Sequence, residues 1–265
     1  MRYSIDDAQN RESILAKMFM QNHAQELTSR LNISRAWWAI LQYDKSRYQR
    51  HGDVDILFGC MLVDSMGDII WPPPCDYLIA CEVKCSYYSD DKNELKATKK
   101  SPQKNRDIRL QLDDHKLDGY NQIILIDMIT HAPETSSNPW IDAVFKSDKS
   151  RNLAQEFLDS RNLANSDYGH FLFLHTPIYG RQEGTAGSTT CEWKKMPREI
   201  CESGVNDNVK RSLIELFAKT TVPLYYQSVF EFSENDDLCL LPGNLLFSPT
   251  AFKSQMKLDD NPATK

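Results

Sequence analysis

No stretch of this 265-residue chain approaches the ~18 uninterrupted apolar residues of a membrane-crossing helix. The N-terminus carries Asp6, Asp7 and Glu12 where a secretory signal would need a basic start and an apolar run. The expectation is a soluble, cytoplasmic protein without a membrane partner. The seven cysteines are odd in number and contain no Cys-x-x-Cys pair, and no Cys/His quartet has zinc spacing. They are expected to be reduced and to serve as small core residues. The loop at 183–190 lacks the lysine of a phosphate-binding P-loop. The Gly-x-Ser-x-Gly turn of many esterases is also missing. A net charge of −6 excludes a uniformly basic surface, so any contact with nucleic acid has to come from a local patch.

What is present is enough apolar material for a core, at 41% hydrophobic and 10% aromatic residues. The periodicity predicts a helix over 4–32 and a strand or packed connection over 35–43. Strands follow at 54–63 and 77–85, with a short return at 69–71 and a proline stop at 72–74. A polar, basic stretch covers 88–106, and a helix at about 105–117 ends at Gly119. The run 123–129 is apolar except for Asp127, as in a strand covered on both faces. Further helices are predicted over 153–163 and 209–219, the latter with Leu213, Ile214, Leu216 and Phe217 on its apolar side. A buried strand is predicted over 170–175, with His170 and His175 marking its ends. Residues 184–190 read as a flexible surface loop and the tail after Lys257 as frayed. Strands alternating with helices predict an α/β fold around one mixed sheet, in a single domain spanning 1–265.

The chemistry concentrates at Asp55, Glu82 and Lys84. Asp55 lies in Gly52-Asp53-Val54-Asp55-Ile56-Leu57-Phe58, and the other two lie in Ile79-Ala80-Cys81-Glu82-Val83-Lys84-Cys85. Residues two apart on a strand share a face, so Glu82 and Lys84 project together, with the intervening apolar residues on the packed side. Charges on an otherwise apolar strand are costly to bury and need a reason. Two carboxylates on adjacent strands with a lysine make an open oxygen-ligand site suited to Mg²⁺. Asp53 shares a strand face with Asp55; the apolar run beginning directly after Asp55 favours the latter.

These residues resemble the PD-(D/E)XK nuclease superfamily, in which an Asp and a (D/E)-x-K on the next strand bind magnesium and cleave phosphodiesters. The family's proline before the Asp is replaced here by Val54. The resemblance covers about 10–176 as core, with 177–265 as a C-terminal elaboration. It implies the restriction-endonuclease-like fold, a mixed central sheet flanked by helices. It assigns catalysis to Asp55, Glu82, Lys84 and Gln111, the last in Arg109-Leu110-Gln111-Leu112, and metal binding to Asp55, Glu82 and the carbonyl of Val83. Glu26 is a weaker candidate for a further acid on the leading helix. The cofactor would be Mg²⁺, with Mn²⁺ as a substitute, and the substrate DNA. The role implied is bacterial restriction or antiphage defence, as a homodimer or with a partner protein. The alternative is a catalytically silent subunit using the same fold as a binding module.

Between Lys92 and Arg109 seven basic residues face two acidic ones, a local charge of +5. Lys96, Lys99, Lys100, Lys104, Arg106 and Arg109 are the candidate phosphate contacts, because the run connects the Glu82–Lys84 strand with the helix bearing Gln111. Tyr87 and Tyr88 are candidates for base stacking, with packing as the simpler role. His115 shares a helix face with Gln111, and a structural role is the simpler one for it also.

Overall fold

The computed structural model describes residues 19–20, 23–31, 37–62, 70–89, 94–97, 108–132, 159, 161, 163–177, 187–200, 204–218 and 245–247. In chain order the elements are α1 (Ala24–Thr28), β1 (Trp37–Asp44), a 3-10 turn (Lys45–Tyr48), β2 (Asp53–Cys60), β3 (Leu78–Ser89) and β4 (Glu94–Ala97). Then come α2 (Ile108–Leu117), β5 (Gln122–Ala132), β6 (Gly169–Pro177), β7 (Gly187–Lys195), α3 (Asp207–Ala218) and β8 (Leu245–Phe247). The architecture is α/β with a mixed sheet: β5 and β6 run parallel, and the other recorded strand pairs are antiparallel. The residues group into two compact units, the first Met1–Ala24, Glu82–Asp114 and Ile123–Arg198, the second Gln25–Cys81, His115–Gln122 and Glu199–Lys265.

The first unit holds strands in the order β7-β6-β5-β3, with β4 paired to the outer end of β3. Residues 123–129 of β5 and 170–173 of β6 are largely apolar and buried on both faces, as parallel strands between covering layers should be. Phe19 packs edge-on against both Phe171 and Phe173 at 5.8 Å, and Phe171 meets Trp193 at 4.9 Å.

The second unit holds the order β3-β2-β1-β8 through the inner end of β3, Leu78–Cys81. Gly59 is required where it stands: a Cβ there would lie 2.2 Å from Cζ2 of the fully buried Trp38. The apolar stripe of α3, made by Val209, Leu213, Leu216 and Phe217, is buried, and Phe217 packs edge-on against Trp38 and Trp71 at 5.0 and 5.2 Å. Leu78 is tied to Asn121 twice, its carbonyl accepting from the Asn121 backbone N–H at 2.9 Å and its N–H donating to Asn121 Oδ1 at 2.8 Å. Gly119 ends α2 with φ +78°, the left-handed conformation expected of a glycine stop.

Several expectations are corrected. Residues 187–190, expected in a flexible loop, begin β7, because Ser188 to Thr190 pair with β6 in register. The basic stretch 88–106 contains β4, which folds back on β3 with Lys96 opposite Tyr87. β2 ends at Cys60 rather than 63, and β3 runs on to Ser89. Ile70 meets Leu62 through one backbone hydrogen bond of 2.9 Å, but Ile70 and Trp71 form no strand. Ile214 is half exposed, because at about 100° per residue it turns off the stripe led by Leu213. Most of helix 153–163, most of helix 4–32 and the tail after Lys257 lie outside the described residues. Of the cysteines, Cys75, Cys81 and Cys85 are buried and Cys60 and Cys191 half-buried, all as free thiols.

Candidate functional site

In the first unit, β3 carries Glu82 and Lys84 on one face, as the two-residue period requires. Lys84 reaches along the strand and donates from Nζ to Glu82 Oε1. Glu82 is buried at 6% exposure, whereas the Lys84 side chain retains 28%. The face bearing the pair is therefore covered too, and not only the apolar face of Val83 and Cys85, which are also buried. A carboxylate removed from water in this way needs a counter-charge, and the strand supplies one two residues on.

Asp55 belongs to the second unit, half-buried on β2. The ladder there pairs Gly59 with Leu78, Phe58 with Ile79, Leu57 with Ala80 and Ile56 with Cys81. Asp55 is the next residue of β2 beyond the last of these pairs. Burial pushes the Cys81 thiol well up, and the nearby negative charge of Asp55 adds to the effect. That thiol stays protonated at neutral pH and is a poor metal ligand. Asp53, the rival acid, is exposed and pairs across the ladder with Asp44 at the end of β1.

Gln111 is half-buried on α2. Two positions before it, Arg109 makes a long contact of 3.4 Å to Asp113, and its guanidinium lies 5.0 Å from the ring centre of Tyr168. Tyr168 in turn donates its hydroxyl to Asp113. Arg109 thus has an intramolecular role with its side chain still 41% exposed. Lys96 sits on β4; Lys99, Lys100, Lys104 and Arg106 lie outside the described residues. Glu26 is exposed on α1.

His115 is buried and packs edge-on against Tyr120 at 6.2 Å, in keeping with a structural role. At the C-terminal end of α2, the ligand atoms of Asp114, His115 and Asp118 lie within 4.8 Å of one another. Asp118 is already neutralised by Lys45 at 2.8 Å and Arg50 at 2.6 Å. A divalent ion would have to compete with both cations there.

Sequence reasoning missed a polar centre in the first unit. Asp127, fully buried on β5, accepts from Arg161 Nε at 3.0 Å, from Arg161 Nη2 at 2.5 Å, and contacts His170 Nε2 at 2.8 Å. His170 is not merely the end of a strand. The one acid in an apolar run was the available signal, but nothing in the local pattern named its partners. Lys195 is a second such case: its ammonium caps the backbone carbonyls of Leu163, Ala164 and Ser166. Burial, with Arg198 and Arg109 nearby, lowers its pKa while Asp167 opposes them.

No protein-family model, curated protein or solved structure matches this chain. Among the described residues no helix is long and apolar enough to cross a membrane.

Proposed function

We propose that this protein is a divalent-metal-dependent nuclease that hydrolyses phosphodiester bonds of DNA. The observation that carries the reading is the Glu82–Lys84 pair, a buried carboxylate and a partly exposed ammonium side by side on one strand face. Such a pair has no packing benefit over two apolar side chains, and unusual charge placement of this kind concentrates at functional sites.

Magnesium is the ion that oxygen donors of this type favour. By the resemblance, Asp55, Glu82 and the carbonyl of Val83 would supply hard oxygen ligands of the kind magnesium prefers. Mn²⁺ would serve in place of Mg²⁺. When bound, the ion would acidify a water and offset charge developing on the phosphate. Lys84 would place its ammonium beside that charge and orient or deprotonate the attacking water. Gln111 would donate its amide to a phosphate oxygen or steady the same water. The basic residues from Lys96 to Arg109 would hold the DNA backbone without reading its sequence.

The test is incubation of the purified full-length chain with linear, circular and single-stranded DNA and with RNA, in Mg²⁺ and in EDTA. Cleavage of DNA in Mg²⁺ alone is expected, with Asp55→Ala and Lys84→Ala each losing on the order of 10²–10⁴-fold in rate. Undiminished metal-dependent cleavage by either folded variant refutes the assignment.

A further inference from the structure

We propose that Lys84 regulates metal loading, its ammonium competing with the divalent cation for Oε1 of Glu82. The inference rests on the metal-dependent reading above and extends it from catalysis to occupancy of the site.

Glu82 is buried at 6% exposure, so its carboxylate has to be met inside the protein, and Lys84 is one group that meets it. Lys84 reaches it from two residues away on the same face of β3, with Nζ donating directly to Oε1. The tether keeps the ammonium at high effective concentration, as any intramolecular partner is kept. A cation arriving at Oε1 would meet like charge at contact distance, where repulsion is strongest. Lys84, unlike Glu82, has a way out: its side chain is 28% exposed, and a four-carbon stem allows the ammonium to swing into water. The pair therefore works as an exchange site, with the lysine as the resident cation that a metal has to displace. The same side chain that serves the reaction also lowers the affinity for its cofactor.

Mn²⁺ binding to the full-length protein, read by calorimetry and by the rise in melting temperature with added metal, tests this without any reliance on cleavage. Lys84→Met should bind Mn²⁺ more tightly than wild type, by about tenfold or more, and show the larger metal-induced rise in melting temperature. Lys84→Arg, which keeps the charge, should bind no more tightly than wild type, and Glu82→Gln should lose binding. Should Lys84→Met fail to fold, Lys84→Gln makes the same comparison with a neutral side chain that can still bond Glu82. Unchanged or weaker binding in the neutral variant, with Glu82→Gln still losing it, overturns the competition and leaves the nuclease reading standing. Failure of wild type and neutral variant alike to bind Mn²⁺, or binding indifferent to Glu82→Gln, overturns both.

Discussion

Asp127 and His170 lie on the parallel strands β5 and β6, with Oδ2 of the acid 2.8 Å from Nε2 of the imidazole. The register explains the meeting: His170 stands opposite Leu125, and Asp127 is the next residue on that face. Arg161 completes the arrangement by engaging both carboxylate oxygens.

Asp127→Ala should therefore destabilise the protein by about 3–5 kcal/mol, because it leaves the Arg161 charge without its buried partner. Urea denaturation followed by circular dichroism measures this, and a loss below about 1 kcal/mol would show that the cluster is not holding β5 to β6.

The Lys45–Asp118 ion pair of the second unit is drier still, with both side chains 1% exposed. Asp118→Asn should cost about 3–5 kcal/mol by itself. The double variant Lys45→Met/Asp118→Asn should recover part of that loss, since the stranded ammonium is gone. A double-mutant cycle with no coupling would argue against the pair as the source of the effect.

Gly59→Ala should destabilise by about 1–3 kcal/mol, because its Cβ would overlap the Trp38 indole, which is fully buried and cannot step aside. The same substitution at Gly52 meets no neighbouring atom within 4 Å and carries only the strain of φ +96°. A scan in which Gly52→Ala proved the more damaging would contradict this packing of β1 on β2.

Alkaline pH should unfold the protein earlier than its net charge suggests. Burial pushes the Cys75 thiol and the Tyr43 hydroxyl both up to about 12, from ordinary values of 9.0 and 10.0. Both groups are neutral in the fold and ionise first in the unfolded chain. Their contribution is intact below pH 9, drains as pH rises from 9 towards 12, and falls by up to about 1.4 kcal/mol per pH unit per group. Urea midpoints at pH 8 and pH 11 read the slope. Tyr43→Phe should flatten it, although that variant also loses the 2.8 Å hydrogen bond to Ser212.

Affinity for DNA should fall as salt rises, and neutralising Lys99 and Lys100 together should reduce the slope of log K against log salt by about 1.8 if both touch phosphate. An unchanged slope would make the basic run a bystander, and with it the proposed path of the substrate.

The broad α/β class, the strands at Leu78 and Gln122, the glycine stop at Gly119 and the pairing of Glu82 with Lys84 could be read directly from the sequence. Each rests on a short-range regularity: an apolar run, a turn residue, or a two-residue period that fixes which side chains share a face. The preference for Asp55 over Asp53 as the candidate acid came from its place before an apolar run, a weaker signal of the same local kind. Hidden from the sequence were β7 and β4, made largely of polar or small residues, and the three-residue β8, each a strand because a neighbouring strand offers its backbone groups. Hidden too were the partners of Asp127, Lys195 and Asp118, which come from 29 to 73 positions away. Local sequence determined which residues had to be buried and which charges would need an answer. Only the tertiary structure decided which distant side chain would answer each one, because a buried charge has to be met by whatever the fold brings within hydrogen-bonding distance.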